Sequence, residues 1–360
     1  MGELTPTELT GTLRALRGDA FPSEGLDVLR AAGMLDDIAV ATAPASGSGR
    51  PDGPPPMFAR LVAIGRGDLA LGRLYEGHVN AMGLVARYGT DAQRARFSRF
   101  MGVWGADAPQ RPGRIERADG GWVLRGAKTY CSGAEGLDTA LIVVKDEGGR
   151  HVLAAVDTDR LAGRFDPAWW TPIGMRTTDS FALDIEGLTL TDEDVLGAPD
   201  DYVRQPYFGG GAVRFAAVQT GGVLAVWDAM RGHLDRTGRQ DDPHQAARLG
   251  EALAEAEGCH AGVRAAYARL ADAIGWTDAE GAPGDALIAD AARALPVLAG
   301  ERLMALAARS VGCAGLMTGH PLARAMSDLS VYLRQPAPDA ALHRAGAGAA
   351  GGALTPSFDL

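Results

Sequence analysis

Gly126-Ala-Lys-Thr-Tyr-Cys-Ser132 and Pro172-Ile-Gly-Met-Arg-Thr-Thr-Asp-Ser180, about forty residues apart, stand within a run of short strand-like segments over residues 120–190. Arg114 to Arg117 and Trp122 to Gly126 flank Asp119-Gly120, a hairpin signal because glycine tolerates the positive φ such turns require. Leu141-Ile-Val-Val144 and Val152-Leu-Ala-Ala-Val156, separated by Lys145-Asp-Glu-Gly-Gly-Arg150, give a second hairpin, and residues 181–190 supply further strand material. Short strands with turns this close predict a small barrel or sandwich. An aromatic and a hydroxyl two residues apart on a strand, as in Tyr130 and Ser132, point to the same face and can serve one flat ring. The plainer alternative is a buried Tyr and a surface Ser.

Outward from this region the period changes to that of helices. Residues 1–103 read as a helical domain interrupted by a Pro-, Gly- and Ser-rich loop over residues 42–56. Leu61, Ile64, Leu71, Leu74, Met82 and Val85 recur near helical spacing, weakened by Gly65, Gly67 and Gly72, and Thr90-Asp-Ala-Gln93 is a capping box. Residues 104–200 form the strand domain, and residues 205–345 a helical bundle. There Pro243 suits a first helical turn, and Leu249, Leu253, Ala256, Val263, Ala266, Leu270 and Ile274 mark an apolar face. Pro296 is expected to kink or divide the helical segments at residues 285–294 and 297–311, and the Ala/Gly-rich residues 346–360 to form a flexible tail.

With 360 residues, 46% of them hydrophobic and 22% charged, the chain has the material of a soluble globular protein with ample buried cores. It lacks an apolar run of bilayer length and a secretion signal at its start, so a cytoplasmic address is expected. Cys131, Cys259 and Cys313 have neither disulfide nor metal-like spacing, and no metal is expected. A net charge of -10 argues against nonspecific nucleic-acid binding.

The two motifs, set between helices and a bundle, resemble the acyl-CoA dehydrogenase family, a flavoprotein superfamily that also includes flavin-dependent monooxygenases. The resemblance implies a multi-domain α and β fold: an N-terminal α-helical domain, a middle β-barrel or sandwich and a C-terminal four-helix bundle. It implies FAD as cofactor, an acyl-CoA or related small molecule as substrate, an electron-transfer partner, and a homodimer or homotetramer built through the C-terminal helices. Tyr130 stands where the family commonly has Trp, beside Cys131, and Ser132 matches the hydroxyl that approaches the flavin N5 edge. Trp104, in Trp104-Gly-Ala-Asp107, takes the place of a Thr-Glu-Pro turn. Arg214 matches an arginine opening the first bundle helix, and Arg239 and Gln245 a segment whose arginine reaches the cofactor pyrophosphate across a subunit interface. A solvated loop arginine is the alternative at Arg239. Gly312 and Gly315 resemble a glycine turn against the adenosine half, or else simply end a helix.

The family's dehydrogenation needs a carboxylate to remove a proton alpha to the thioester while hydride passes to flavin. The two positions that usually carry it hold Pro336 and Val213. His78, on the stripe of Leu71, Leu74, Met82 and Val85, is the candidate substitute base, against the alternative of a core histidine; Glu76 reads as a surface charge, and Asp339 lies near the missing base in sequence. The expectation is an FAD-dependent oxidoreductase acting on the CH-CH group of an acyl thioester. The alternatives are a flavin-dependent monooxygenase on the same fold, a noncatalytic flavin or acyl binding protein, and a helical interaction protein without flavin.

Overall fold

In the computed structural model, which describes residues 4–36, 56–97, 99–205, 207–273, 284–335 and 337–354, the chain runs through helices, then strands, then helices again. The first helices are α1 (Pro6–Leu16), α2 (Ser23–Ala31), α3 (Pro56–Gly67), α4 (Leu69–Tyr88) and α5 (Asp91–Arg96). Their starts are chemical. Thr5 with Glu8, and Thr90 with Gln93, form capping boxes, and the Asp68 carboxylate accepts from the Ala70 and Leu71 N–H groups, dividing α3 from α4. The loop expected over residues 42–56 lies outside the described residues except for Pro56, which opens α3.

Ten strands follow: β1 (Met101–Trp104), β2 (Arg114–Ala118), β3 (Gly121–Arg125), β4 (Ala127–Cys131), β5 (Thr139–Lys145), β6 (His151–Asp157), β7 (Phe165–Asp166), β8 (Phe181–Asp184), β9 (Thr189–Leu190) and β10 (Val195–Leu196). One sheet runs β10-β6-β5-β2-β3-β9 with β1 added alongside β5, and the other β4-β8-β7. Both hairpins read from the sequence form: β2 pairs β3 around Gly120, which has φ 82, and β5 pairs β6 from Thr139↔Asp157 to Lys145↔His151.

The bundle comprises α6 (Tyr207–Arg236), α7 (Pro243–Ala273), α8 (Asp285–Val311), α9 (Pro321–Tyr332) and α10 (Pro338–Ala350). Helix α6 is its axis, packed on α3, α7, α8 and α9. The crossing with α3 is close enough to require glycine: a Cβ at Gly65 would lie 2.5 Å from the Val218 carbonyl oxygen, and one at Gly221 2.5 Å from that of Val62. The glycines that weakened the helix signal in sequence are thus the contact surface.

Three expectations change. Pro296 lies inside α8 without dividing it, and residues 346–350 of the expected tail are helical. The buried face of α7 is Ala252, Ala256, Cys259, Val263, Tyr267 and Leu270, whereas Leu253 is exposed and Ile274 lies outside the described residues. Alanine and cysteine at the tight crossings carry the seam that leucine was expected to mark. No described helix is long and apolar enough to cross a membrane, and no metal-like cluster of His, Cys, Asp or Glu occurs among the described residues.

Candidate functional site

Strand β4 does not keep the alternation that two-residue spacing implies. Its pairing with β8 slips between Lys128 and Cys131, and Tyr130 sits there at φ 54 in the left-handed region. That conformation is costly for an aromatic residue. The bulge turns Tyr130 outward, 46% exposed, while Ser132 goes inward and is buried. Tyr130 and Ser132 therefore do not share a face by simple strand geometry, a correction to the sequence reading.

Outside, Tyr130 meets Trp169 edge-on with centroids 4.8 Å apart, and Trp169 stacks near-parallel to Trp170 at 6.3 Å. Trp169 is 37% and Ile173 77% exposed, so the turn after β7 offers an aromatic and aliphatic surface. Neither tryptophan was among the residues expected at the site. Their signal in the sequence, an adjacent aromatic pair just before the second motif, was present but unused.

Inside, Ser132 Oγ lies 2.8 Å from Ser180 Oγ, and Ser180 Oγ 2.7 Å from Thr178 Oγ1, which donates to the Met175 carbonyl at 2.8 Å. A hydroxyl has one proton, so Thr178 must accept from Ser180, and Ser180 must accept from Ser132. Ser132 is left with its lone pairs as its outward hydrogen-bonding capacity. Beneath it Trp104, buried at the end of β1, donates from Nε1 to the Ser132 carbonyl at 3.0 Å. Lys128 is wholly buried and donates to Asp107, the Gly105 carbonyl and the Val143 carbonyl at 2.7, 3.1 and 2.7 Å. Cys131 faces the core, where burial pushes its thiol pKa up.

The second motif is a strained turn with Met175 at φ 57 and Asp179 at φ 44. It is fastened to the bundle: the Met175 N–H donates to Asp328 on α9 at 2.6 Å. Residues Arg176–Thr178 also pack on α4, and a Cβ at Gly133 would touch Leu74. Tyr130, Met175 and Asp179 place three left-handed non-glycine residues in the two motifs, the concentration of backbone strain typical of functional sites.

The helical wall carries charges that the sequence reading placed elsewhere. Glu76 is buried, 3.0 Å from Arg73 and hydrogen-bonded by Asn80, not a surface charge. Burial raises its pKa while Arg73 and Arg214 oppose that shift. Arg214 donates from Nε to Asn80 at 2.6 Å. Tyr332, the last residue of α9, is buried, stacks edge-on against Phe215 at 4.7 Å, and has a hydroxyl without a hydrogen-bond partner. Burial, with the nearby Glu76 carboxylate, raises its pKa well above the phenol range. Arg73 and Tyr332 were missed because one charged residue in a glycine-rich apolar helix and one tyrosine near a helix end have no spacing signature.

His78 is buried with both nitrogens engaged: Nδ1 accepts from the Met101 N–H at 3.1 Å, so Nε2 donates to the Leu35 carbonyl at 2.7 Å. Burial lowers its pKa. It links α4 to β1 and the α2 end as a neutral structural histidine and has no free nitrogen to take a substrate proton. Arg239 is exposed beyond α6, with no ion-pair partner among the described residues. Gln245 is buried and donates to the Ser310 carbonyl at 3.4 Å, turned into the bundle. Gly312, at φ 75, ends α8 beside open space, whereas Gly315 packs against Val311 and Leu322. Val213 is buried and Asp339 lies in the first turn of α10; Pro336 is outside the described residues.

No family model matches the chain. A stretch of 90 residues, 24% of this chain, is 42% identical to the dibenzothiophene monooxygenase of Rhodococcus erythropolis, and spans only 21% of that protein's length. Among solved structures, TdsC of Paenibacillus sp. A11-2, in a complex with FMN and indole, matches over 98% of both chains with a TM-score of 0.81 and 19% identity. Butyryl-CoA dehydrogenase of Megasphaera elsdenii matches over 96% of this chain and 97% of its own with a TM-score of 0.77 and 14% identity. Helices, strand domain and bundle follow one another in the order the motifs implied, and the chain has the acyl-CoA dehydrogenase fold.

Proposed function

We propose that this protein is a flavin-dependent monooxygenase that oxygenates a small aromatic or heteroaromatic molecule, receiving reduced flavin from a separate reductase. The observation that carries the reading is the state of the protein's carboxylates at the helical wall. Dehydrogenation of a thioester needs a free carboxylate base, and the two usual positions hold buried Val213 and, in the sequence, Pro336. Glu76, the carboxylate that the fold does bring to this wall, is engaged by both Arg73 and Asn80. The likeness to a dibenzothiophene monooxygenase supports the same assignment, and the FMN complex of TdsC supports FMN in place of the expected FAD.

The residues present fit a flat cofactor. Tyr130, held outward at the cost of a left-handed backbone, and Trp169 and Ile173 expose an apolar surface with little else to cover it. Tyr130 and Trp169 would hold the ring from the outer side, and Ser132, which the bulge turns to the inner side, would reach only its edge and as an acceptor, its own proton being committed to Ser180. The exposed Arg239 would serve a phosphate, of the same or a neighbouring subunit, by its planar fork. When bound, reduced flavin supplies two electrons to O2, so that one oxygen atom enters the substrate and the other leaves as water. The chain itself contributes orientation of the ring, an apolar surface for it to cover, and fixed hydrogen-bonding directions.

Purified protein given FMN, a flavin reductase, NADH and 18O2, with indole and dibenzothiophene as probes, tests the proposal. The expected result is product carrying one 18O atom and no anaerobic bleaching of the flavin by short, medium or long acyl-CoA. Rapid bleaching by a thioester would return the assignment to a dehydrogenase.

A further inference from the structure

Residues 17–22, between α1 and α2, enclose with the start of α4 a recess of about 170 Å³. Its walls are largely apolar: Leu13 and Leu16 come from α1, Phe21 from the connecting segment, and Leu71 from the first turn of α4. A space of this size takes one aromatic ring, since an apolar cavity of about 150 Å³ holds benzene. The connecting segment is tied down on both sides. Phe21 lies against the turn after Ser132, where a Cβ on Gly136 would fall 2.1 Å from its ring, and Asp19 accepts from Arg324 on α9 at 3.1 Å.

One polar group reaches the recess from within the protein. Asp68, only 3% exposed, lines it. Its Oδ1 accepts from the Ala70 and Leu71 N–H groups at 3.0 and 3.2 Å, while Oδ2 accepts no hydrogen bond from the described residues. Nor is Oδ2 sealed away: unlike the Tyr332 hydroxyl, it keeps accessible surface. A carboxylate oxygen can only accept while ionised, and leaving it unused inside a protein is costly, so it calls for a donor that helix capping does not supply.

The charges at the mouth have one sign. Asp19 and Glu24 line the rim, and no Lys, Arg or His is among the described residues that line the recess. Arg17 and Arg324, the cations acting on Asp68, stand outside that lining, and Arg324 is engaged by Asp19 and, at 3.6 Å, by Asp328.

We propose that this recess binds a small organic ammonium ion, with its apolar body against Leu13, Phe21 and Leu71 and its N–H groups on Asp68 Oδ2. An ammonium is a compact charge with several donors, which suits a single open carboxylate oxygen better than a planar guanidinium fork. The site lies beyond the flavin reading and requires neither cofactor nor oxygen.

Calorimetric titration of the purified full chain with benzylamine, which is protonated at neutral pH, and with benzyl alcohol, which matches it in shape without the charge, tests the site. Benzylamine is expected to bind saturably at about millimolar concentration or below, and at least about tenfold more tightly than the alcohol. Asp68→Asn keeps a capping oxygen for the Ala70 and Leu71 N–H groups, since asparagine caps helices as well as aspartate, and should bring the two affinities to within about threefold. Gly18 also lines the recess, and a Cβ there meets nothing within 4 Å, so Gly18→Phe should keep the fold, checked by thermal melting, and weaken both probes by at least about tenfold. That variant decides the matter if Asp68→Asn fails to fold. No saturable binding of benzylamine, equal affinity for amine and alcohol, a preference untouched by Asp68→Asn, or binding untouched by Gly18→Phe overturns the proposal.

Discussion

Ser180 stands between Ser132 and Thr178, 2.8 Å from one hydroxyl and 2.7 Å from the other, and the Met175 carbonyl at the end of the row sets the direction of every proton in it. Replacing Ser180 by Ala frees the Ser132 proton to turn outward, so a group that accepted from its surroundings becomes one that donates. FMN affinity in Ser180→Ala is expected to change by less than about threefold, whereas the oxygenation rate falls by about tenfold, the worth of one reoriented hydrogen bond at a reacting ring. Rapid-mixing kinetics measures both, and an unaltered rate would dissociate Ser132 from the chemistry.

Tyr130 holds its left-handed backbone at the bulge of β4. Tyr130→Gly relieves a left-handed conformation that costs an L-residue about 1 to 2 kcal/mol, offset in part by glycine's larger entropy in the unfolded chain. Stability of the flavin-free protein should therefore hold or rise slightly in chemical denaturation, while FMN binding weakens by about tenfold. A variant that loses both would make Tyr130 a structural residue.

His78 should behave as a joint. His78→Ala leaves the Met101 N–H and the Leu35 carbonyl without partners, and stability is expected to drop by roughly 2 to 4 kcal/mol. Burial lowers the folded-state pKa below the unfolded value of about 6.5, so the folded protein excludes a proton that the unfolded chain takes up. The histidine's contribution is complete above about pH 6.5 and declines as pH falls below it. Denaturation curves of wild type and His78→Gln should show this acid dependence in the first and its loss in the second, with the pH profile of turnover the same in both.

Lys128 is the internal brace of β4. Lys128→Met leaves the Gly105 and Val143 carbonyls without this donor and the Asp107 carboxylate with the Gly113 N–H and solvent alone, and a loss of about 2 kcal/mol is expected in denaturant melts. Double replacement with Asp107→Leu should recover part of that loss, because the unpaired charge is then removed as well.

The fold was legible where local chemistry decides it: the glycine of the β2–β3 turn, the capping box at Thr90, and the apolar runs that became β5 and β6. Motif identity located Ser132 and the 172–180 turn, but not their geometry. Alternation fails at a bulge, and nothing in Lys128-Thr-Tyr-Cys announces that Tyr130 takes a left-handed backbone. The charged wall was illegible for a different reason. Helical periodicity ranks residues by apolarity, so it put the apolar stripe and His78 inside and Glu76 outside, yet Glu76 is buried by its pairing with Arg73 and Asn80 across α4. Which charge goes inward depends on partners one turn away and on α6, and a composition-based face cannot register them.

The fastening of Met175 to Asp328 has a mechanical sequel. At the same contact a Cβ on Gly174 would fall 2.1 Å from the Ser327 carbonyl oxygen, so turn and helix meet backbone to backbone, with no side chain between them to act as a cushion. Such a joint relays displacement instead of absorbing it. The rod that carries Tyr332 and the turn that supports Trp170, whose indole N–H donates to the Met175 carbonyl at 3.3 Å, are geared together. A shift of α9 would therefore carry the Met175 turn, and with it the Trp170 indole, in the same direction.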